Sequence, residues 1–254
     1  MSAIISLDLA GFAPREDEDG AGGGDRVWDD ARGVVLSVHD FALVPDLVAP
    51  LDAGERLLRE VARHTASSGA ALIEAQVREL GGVPGLWQLV KVSRGTGRGQ
   101  VFIGAWTVPR DRCSVVLKVQ AAEGPVSGMR EAVVADRVGF DAFVRSHPYD
   151  PDLRGPLPYH AADLPEWDAQ FPTHPLTLVR ETLARVGASA VLDDRFRALP
   201  PFPGPTPDDG APAGPAPAGQ ASDGPAPAGR ASDGPAPDGP APAEAPRRRW
   251  WRGR

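Results

Sequence analysis

Histidines and carboxylates are concentrated between residues 146 and 174, in a stretch without helical or strand periodicity. Imidazole and carboxylate groups carry out acid–base catalysis and bind metal ions, so this stretch is the candidate polar site of the chain. Its candidate residues are His147, Asp150, His160, Asp163, Glu166, Asp168 and His174, with Tyr149 and Asp152 beside them. The three histidines are 13 and 14 residues apart, so the local spacings typical of metal sites are absent. The pattern predicts a polar surface loop stiffened by prolines; the alternative is an enzyme or metal site assembled by the fold.

Motifs that bind phosphate or activate a nucleophile are absent from the sequence. The glycine-rich run at 95–99 resembles part of a dinucleotide fingerprint, but it lies between two predicted strands. The fingerprint requires a helix whose N-terminus meets the pyrophosphate, so this run is interpreted as a hairpin tip. Neither a P-loop nor a GxSxG nucleophile elbow occurs. We therefore expect no cofactor and assign no catalytic residue and no metal ligand.

A basic and aromatic segment ends the sequence, with five arginines around two adjacent tryptophans. The candidate residues for binding an anionic surface are Arg247, Arg248, Arg249, Trp250, Trp251, Arg252 and Arg254. Each arginine contributes on the order of 1 kcal/mol at an anionic membrane leaflet, which predicts weak, salt-sensitive attachment. A membrane surface is the first expectation, because tryptophan favours the bilayer interface. Nucleic acid, bound through phosphate contacts and base stacking, and an acidic protein surface are the alternatives.

The chain divides into a globular body and a low-complexity tail. Of the 28 prolines, 15 lie from Pro200 onward, where a ten-residue repeat (GPAPAGQASD, then GPAPAGRASD) replaces apolar periodicity. Such a sequence cannot bury enough apolar surface to offset the entropy of ordering it. We predict one globular domain over residues 1–198, including the long loop 146–174. A disordered Pro/Ala/Gly/Asp spacer is predicted over 199–246, followed by the terminal segment 247–254.

Charge disfavours nucleic-acid binding by the body, and the cysteine content excludes a disulfide-stabilised fold. Six acidic and six basic side chains lie after Leu199, so residues 1–199 carry the whole formal charge of −7. An acidic body disfavours broad phosphate contact, which leaves nucleic acid as a less favoured partner that only the tail would bind. A lone Cys113 excludes an intramolecular disulfide framework.

The absence of a basic, apolar leader and of any apolar window near 18 residues predicts a location for the protein. We expect no transmembrane segment and a cytoplasmic protein, peripheral at the inner face of the membrane where the tail binds it. Two lysines against 25 arginines and no asparagine indicate a G+C-rich coding genome, which points to a bacterial source.

Four consecutive segments predict the central sheet. Residues 70–80, 86–92, 101–108 and 113–121 are rich in apolar, β-branched and aromatic side chains, and their connections are short and contain Gly or Pro. Short connections favour antiparallel neighbours, because a parallel crossover needs a dozen or more residues. In the third segment both alternating faces are apolar, which indicates that helices cover the sheet on both sides. Another one or two short strands are predicted within 33–44.

Three helices are predicted around this sheet. Asp52 and Glu55 form a capping-box pattern before the first helix, Ser127 is the expected N-cap of the second, and Pro175 is the expected first residue of the third. The apolar stripe predicted for the second helix consists of Met129, Ala132, Val133, Phe140, Phe143 and Val144. The pattern predicts an α+β fold: an antiparallel meander of four or more strands packed by two to three helices as an α/β/α sandwich, followed by the disordered tail.

The order of elements and the run LIEAQVRELGGVPGLWQLVKV…FIGAWTVPRDRCSVVLKVQ…SGMREAVVADRV resemble the PsbP-like fold, which includes bacterial DcrB-like domains. The resemblance covers about residues 28–145. It implies a ligand- or protein-binding scaffold, often adaptor- or chaperone-like, with few enzymes. The sequence thus favours a non-enzymatic binding module that recognises a protein partner and carries a terminal tether.

Overall fold

A computed structural model describes residues 2–15, 26–94 and 99–205 of the chain. The predicted spacer beyond residue 205 and the basic–aromatic segment 247–254 lie outside the described residues, so both remain sequence predictions. The described body continues past Leu199, because Asp111 N–H donates to Pro200 O at 3.1 Å and Arg110 forms a β-bridge with Pro201. Residues 200–205 thus follow the surface of the body before the described chain ends.

Seven antiparallel strands form the central sheet, in the order β2-β3-β4-β8-β7-β6-β5, and two further strands form a separate pair, β1-β9. The strands are β1 Ile4–Ser6, β2 Phe12–Pro14, β3 Arg26–Asp30, β4 Val35–Phe41, β5 Ala70–Leu80, β6 Val83–Ser93, β7 Gln100–Pro109, β8 Ser114–Ala122 and β9 Val191–Leu192. Strands β5 to β8 pair consecutively, so the predicted four-stranded meander is confirmed. Strand β4 joins this meander beside β8 and extends it with β3 and β2.

The connection between β5 and β6 is shorter than the sequence predicts. Gly81 and Gly82 form a two-residue turn between the paired residues Leu80 and Val83, and both glycines have positive φ, 56° and 80°. Two consecutive positive φ values match the right-handed twist of a hairpin and favour glycine at both positions. The predicted turn includes Val83, Pro84 and Gly85, but these residues lie within β6.

Helices cover both faces of the sheet. They are α1 Glu55–Ser67, α2 Met129–Val138, α3 Phe140–Phe143, α4 Pro175–Ser189 and α5 Asp194–Arg197, with 3-10 turns at Leu51–Ala53, Ala161–Asp163 and Pro165–Gln170. In α1, Leu57 packs in one apolar cluster with Leu72 of β5. In α4, Leu183 packs in another with Ile73 of the same strand. Because neighbouring residues of a strand point to opposite faces, α1 and α4 lie on opposite sides, and the predicted α/β/α sandwich is confirmed.

Close contact between α4 and the sheet depends on Gly104 in the middle of β7. A Cβ atom at this position would lie 2.8 Å from Leu183, 2.9 Å from Val179 and 2.9 Å from Leu89. Any larger residue would push α4 away from the strands, so the missing side chain allows the helix to pack directly on the backbone of β7.

The helix N-termini differ from two predictions. The capping box at Asp52 is wrong, because Asp52 lies within the 3-10 turn Leu51–Ala53 and Gly54 precedes α1 without a side-chain cap. Ser127 is not the N-cap of α2, because Gly128 occupies that position in the left-handed conformation. Pro175 is the first residue of α4, as predicted, and the side chain of His174 provides the cap.

The buried side of α2 is the opposite of the predicted one. Arg130 and Val134 are fully buried, whereas Met129 is 57 % exposed, Phe140 84 % and Val144 59 %. Two causes account for the difference. Gly139 ends α2 with a φ of 82°, so the apolar residues on either side of it do not share one helix. The guanidinium of Arg130 donates to four acceptors inside the molecule. These hydrogen bonds hold the Arg130 side of α2 toward the interior.

Candidate functional site

The residues of the predicted polar site do not converge on one point. His160 and Asp163 meet beneath the sheet, Asp168 lies in a separate arginine cluster, and His147 and Asp150 face the edge strand β5. His174 caps α4, and Glu166 is exposed. The candidate set is thus distributed over four different environments within the fold, and Glu166 lies on the surface.

A buried ion pair lies where the loop crosses the sheet. Lys91 of β6 donates hydrogen bonds to both carboxylate oxygens of Asp163, at 2.9 and 2.7 Å, and both side chains are 1 % exposed. The Lys91 ammonium also donates to Nε2 of His160 at 3.0 Å. Burial lowers the pKa of Lys91, and the attraction of Asp163 opposes that shift. All three ammonium protons have acceptors, which is the arrangement that a buried lysine requires.

The imidazole of His160 is neutral in this environment. Burial, opposed by Asp163 and reinforced by the Lys91 charge, lowers the pKa of His160 to about 4. Because Nε2 accepts from Lys91, the ring proton is on Nδ1, which lies 3.4 Å from Asp163 Oδ2. The ring also stacks on Phe143 with a centroid distance of 4.9 Å. These groups resemble acid–base machinery in type, but the exposures of 1 % leave no access for a substrate.

Two arginines hold Asp168 from opposite sides. Arg130 of α2, which is fully buried, donates to Asp168 Oδ1 at 2.8 Å and to the carbonyl oxygens of Ala162 and Leu164. Arg180 of α4 pairs with Asp168 Oδ2 and, at 2.6 Å, with Glu74 of β5. The cluster ties both helices, the loop and the edge strand together. Its geometry is that of a structural network, because every strong donor is engaged within the protein.

The first part of the loop covers the outer edge of β5, the last strand of the sheet. Tyr149 Oη accepts from Ala75 N–H at 2.8 Å and donates to Ala75 O at 3.0 Å. His147 Nε2 donates to Leu72 O at 3.1 Å, and burial lowers the pKa of this histidine. Asp150 pairs with Arg63 of α1 at 2.7 Å, a contact that lowers the pKa of the carboxyl group. These contacts satisfy edge groups that would otherwise be open to another strand.

One group of side chains has the composition of a metal site. Glu123, Glu131 and His174 each offer an atom within 4.8 Å of the other two. However, Nδ1 of His174 accepts from Leu176 N–H at 3.2 Å, so a ring proton is on Nε2, the atom that faces Glu123 at 3.8 Å. A metal ligand needs a free lone pair at that nitrogen. The arrangement therefore suits a histidine donor between two carboxylates better than a metal centre.

The carboxyl group of Glu123 remains ionised in this cluster. Burial raises its pKa, but the His174 imidazole and the backbone N–H groups of Gly128 and Gln100 lower it by more. The N–H distances are 2.9 Å from Gly128 and 2.7 Å from Gln100. Glu123 thereby closes the end of the β7–β8 hairpin onto the start of α2, which is a structural role.

Sequence reasoning missed the cations of these clusters. Lys91 alternates with Val90 and Val92 and shares its strand face with Trp87 and Leu89, both buried. A lysine on an apolar strand face is a signal for a buried ion pair. Arg130 and Arg180 gave no such signal, because 25 arginines make any one of them unremarkable in this sequence.

Exposed apolar side chains are concentrated on α2, α3 and the residues beside them. We define the outer face by Val126, Met129, Phe140 and Val144, whose exposures are 74, 57, 84 and 59 %. Phe140 and Val126 are the two most exposed large apolar residues in the described part of the chain. Four of the nine large apolar residues that are exposed in the described part of the chain thus fall within residues 126–144. A group of exposed apolar side chains suits an interaction surface, whereas single exposed apolar residues need no explanation.

No protein-family model and no curated protein sequence matches this chain. Among solved structures, the chain is similar to the Saccharomyces cerevisiae Ran-binding protein Mog1p, with a TM-score of 0.40, 13 % identity and coverage of 76 % of this chain and 93 % of Mog1p. A point mutant of Mog1 gives a TM-score of 0.40 and 14 % identity over 76 % of this chain and 94 % of that one. Every helix within the described ranges is too short or too polar to span a membrane.

Proposed function

We propose that this chain is a non-enzymatic binding module whose outer face docks a partner protein. The observation that carries the proposal is the exposure of Phe140 and its apolar neighbours on α2 and α3. Protein interfaces are enriched in aromatic residues and methionine, and this face presents Phe140 and Met129. Three residues of the apolar stripe that the sequence predicts as core, Met129, Phe140 and Val144, thus belong to the surface we assign to the partner.

The ionisable groups support a binding role because they are engaged in packing. Lys91 and Asp163 are buried and inaccessible to a substrate. The guanidinium groups of Arg130 and Arg180 donate to Asp168, Glu74 and carbonyl oxygens of the loop. A rigid scaffold with a fixed loop is what a preorganised binding surface needs. The enzyme alternative would need a substrate to reach the histidines and carboxylates of the loop.

A paired substitution tests the outer face. Met129→Ser together with Phe140→Ser should abolish co-purification of the partner with the full-length chain while leaving the melting temperature within a few degrees. Ile5→Ser together with Val191→Ser is the matched control, because these residues are 59 and 48 % exposed on the β1-β9 pair. Equal partner recovery by both variants would contradict the proposal. A purified chain that sediments as a dimer only when Met129 and Phe140 are present would mean that this face joins two copies, and it would contradict a different protein as the partner.

We also propose that the terminal segment attaches the protein to an anionic membrane surface from the cytoplasmic side. Five arginines beside Trp250 and Trp251 support it, with a combined attraction of at most ~5 kcal/mol before ordering costs. Deleting residues 247–254 should abolish sedimentation with phosphatidylserine vesicles at low salt. Unchanged sedimentation would contradict the tether, and binding of the full chain to RNA or DNA in place of vesicles would favour the nucleic-acid alternative.

The relationship to PsbP-like, DcrB-like bacterial domains is part of the same proposal. It rests on the order of elements over residues 28–145 and on the sequence runs quoted for it. Such a scaffold suits an adaptor or chaperone-like role, in which the body selects the partner and the tail sets the location.

A further inference from the structure

A cavity of about 310 Å³ lies between the start of β5, the end of α1 and the loop residues 144–159. This volume is at the lower end of the range for small-molecule sites. The cavity is separate from the surface of α2, although Val144 borders both.

The walls of the cavity are held by hydrogen bonds. Arg145 N–H donates to Tyr159 O at 3.0 Å, which closes the two ends of the loop against each other. Between these ends, His147 is bonded to Leu72 O, and Tyr149 is bonded to both backbone groups of Ala75. A loop closed at its base and anchored along its length forms a fixed wall, so the cavity does not depend on a rearrangement.

Most of the lining is apolar. The apolar and small residues that form it are Ala66, Ala70, Ala71, Leu72, Val144, Leu153, Gly155, Leu157 and Pro158. Such a surface favours a hydrocarbon or aromatic body, because transfer of apolar area from water is favourable.

The charged residues of the lining are all arginines. Arg145 and Arg154 line the cavity, and none of its residues is acidic, although the chain as a whole has a net charge of −7. Within the described residues, the guanidinium of Arg145 has no hydrogen-bond or ion-pair partner. Arg154 uses one nitrogen for the carbonyl oxygens of Pro151 and Leu153 and keeps its other donors. A cationic cavity on an acidic protein favours an anion.

Tyr159 adds a neutral donor beside these arginines. Burial and nearby carboxylates raise the pKa of Tyr159 to about 12, so its hydroxyl keeps its proton. This hydroxyl has no hydrogen-bond partner among the described residues. His147 is unavailable to a ligand, because Nε2 donates to Leu72 O and Nδ1 faces Tyr149 N–H at 3.3 Å. The donors left for a ligand are therefore the phenol of Tyr159, the two guanidinium groups and the hydroxyl of Ser146.

We propose that this cavity binds a small amphipathic carboxylate, with the apolar body against Leu72, Leu153 and Leu157 and the carboxylate at Arg145 and Tyr159. Guanidinium and phenol donors recognise a carboxylate through charge-assisted hydrogen bonds, which are stronger than neutral ones. The proposal does not rest on the function assigned to the outer face.

Octanoate is a suitable probe, with octanol and octylamine as neutral and cationic comparisons. Calorimetric titration of the full-length chain should show saturable binding of octanoate, weaker binding of octanol and none of octylamine. Arg145→Gln should weaken octanoate binding at least tenfold, and Tyr159→Phe should weaken it severalfold. Arg112→Gln, an exposed arginine in the β7–β8 turn, is the control with the same loss of charge and should leave the affinity unchanged.

Two results would overturn the proposal. One is the absence of saturable octanoate binding to the folded chain. The other is binding of octanoate that Arg145→Gln does not weaken or that octanol matches, which would mean an apolar contact without carboxylate recognition. Melting curves of both variants establish that they are folded, and neither side chain has an internal hydrogen bond to lose.

Discussion

At the scale of single residues, Lys91 and Asp163 determine how the loop meets the sheet. Each side chain is 1 % exposed, and the carboxylate is the counter-ion that allows an ammonium group to remain in the core. Breaking one partner of a buried pair is far more costly than replacing both, because it leaves an uncompensated charge. The pair is therefore best tested by comparing a single with a double substitution.

Asp163→Asn should destabilise the protein by ~3 kcal/mol or more, because the buried ammonium of Lys91 loses its counter-ion. The amide oxygen can still accept from the backbone N–H of His160, whereas the amide nitrogen replaces one of the two oxygens that accept from Lys91, so one hydrogen bond is lost with the charge. Adding Lys91→Met should recover a large part of the loss, since both charges are then absent. Urea unfolding measures both effects; a double variant no more stable than the single one would show that the two charges are not coupled.

His160 links folding stability to pH. Its pKa of about 4 in the folded protein is below the ordinary value of 6.5, so between these pH values only the unfolded chain binds the proton. The free energy of unfolding should therefore decrease as the pH is lowered from 6.5 to 4, by on the order of 3 kcal/mol for this group. His160→Gln should reduce that loss. His64→Gln, at an exposed position of α1, is the control, and an equal pH dependence in both variants would argue against the assignment.

At the scale of elements, periodicity predicts the meander and the faces of α1 and α4 because apolar packing decides their orientation. Alternation in β7 places Phe102 and Ile103 on opposite sides, and each meets its own apolar cluster. The same reasoning fails for α2, where the hydrogen bonds of Arg130 outweigh the apolar stripe. No local pattern reveals this, because the acceptors at Ala162, Leu164 and Asp168 are more than thirty residues away.

The prediction at the scale of elements concerns the substitution of Gly104 in β7. Gly104→Ala places a Cβ atom 2.8–2.9 Å from Leu183, Val179 and Leu89, so α4 or the strands must shift. We expect a loss of ~1–3 kcal/mol in the free energy of unfolding, the usual cost of overpacking a core. Gly124→Ala is the matched control, because a Cβ atom there meets nothing within 4 Å. Equal stability of the two variants in urea would contradict the direct packing of α4 on β7.

At the scale of the whole molecule, the polar groups of the loop are mostly engaged within the described body, while the two most exposed large apolar residues, Val126 and Phe140, lie beside α2 and on α3. The sequence predicts which histidines and carboxylates the loop contains. It does not predict which of them meet Lys91, join the cluster at Asp168, face β5 or cap α4, because tertiary distances determine which donor meets which carboxylate. The sequence also predicts a binding module. The surface we propose for the partner includes Met129 and Phe140, which the sequence pattern assigns to the core and the structure places outside it.

Photo-cross-linking at Phe140 tests the central claim most directly. Replacing Phe140 of the full-length chain with p-benzoylphenylalanine and irradiating living cells should yield one adduct with a different protein. The same photoreactive residue at Val191, which is 48 % exposed on β9, should yield none. An adduct that contains only a second copy of this chain, equal adducts at both positions, or no adduct at position 140 would contradict a partner-binding outer face.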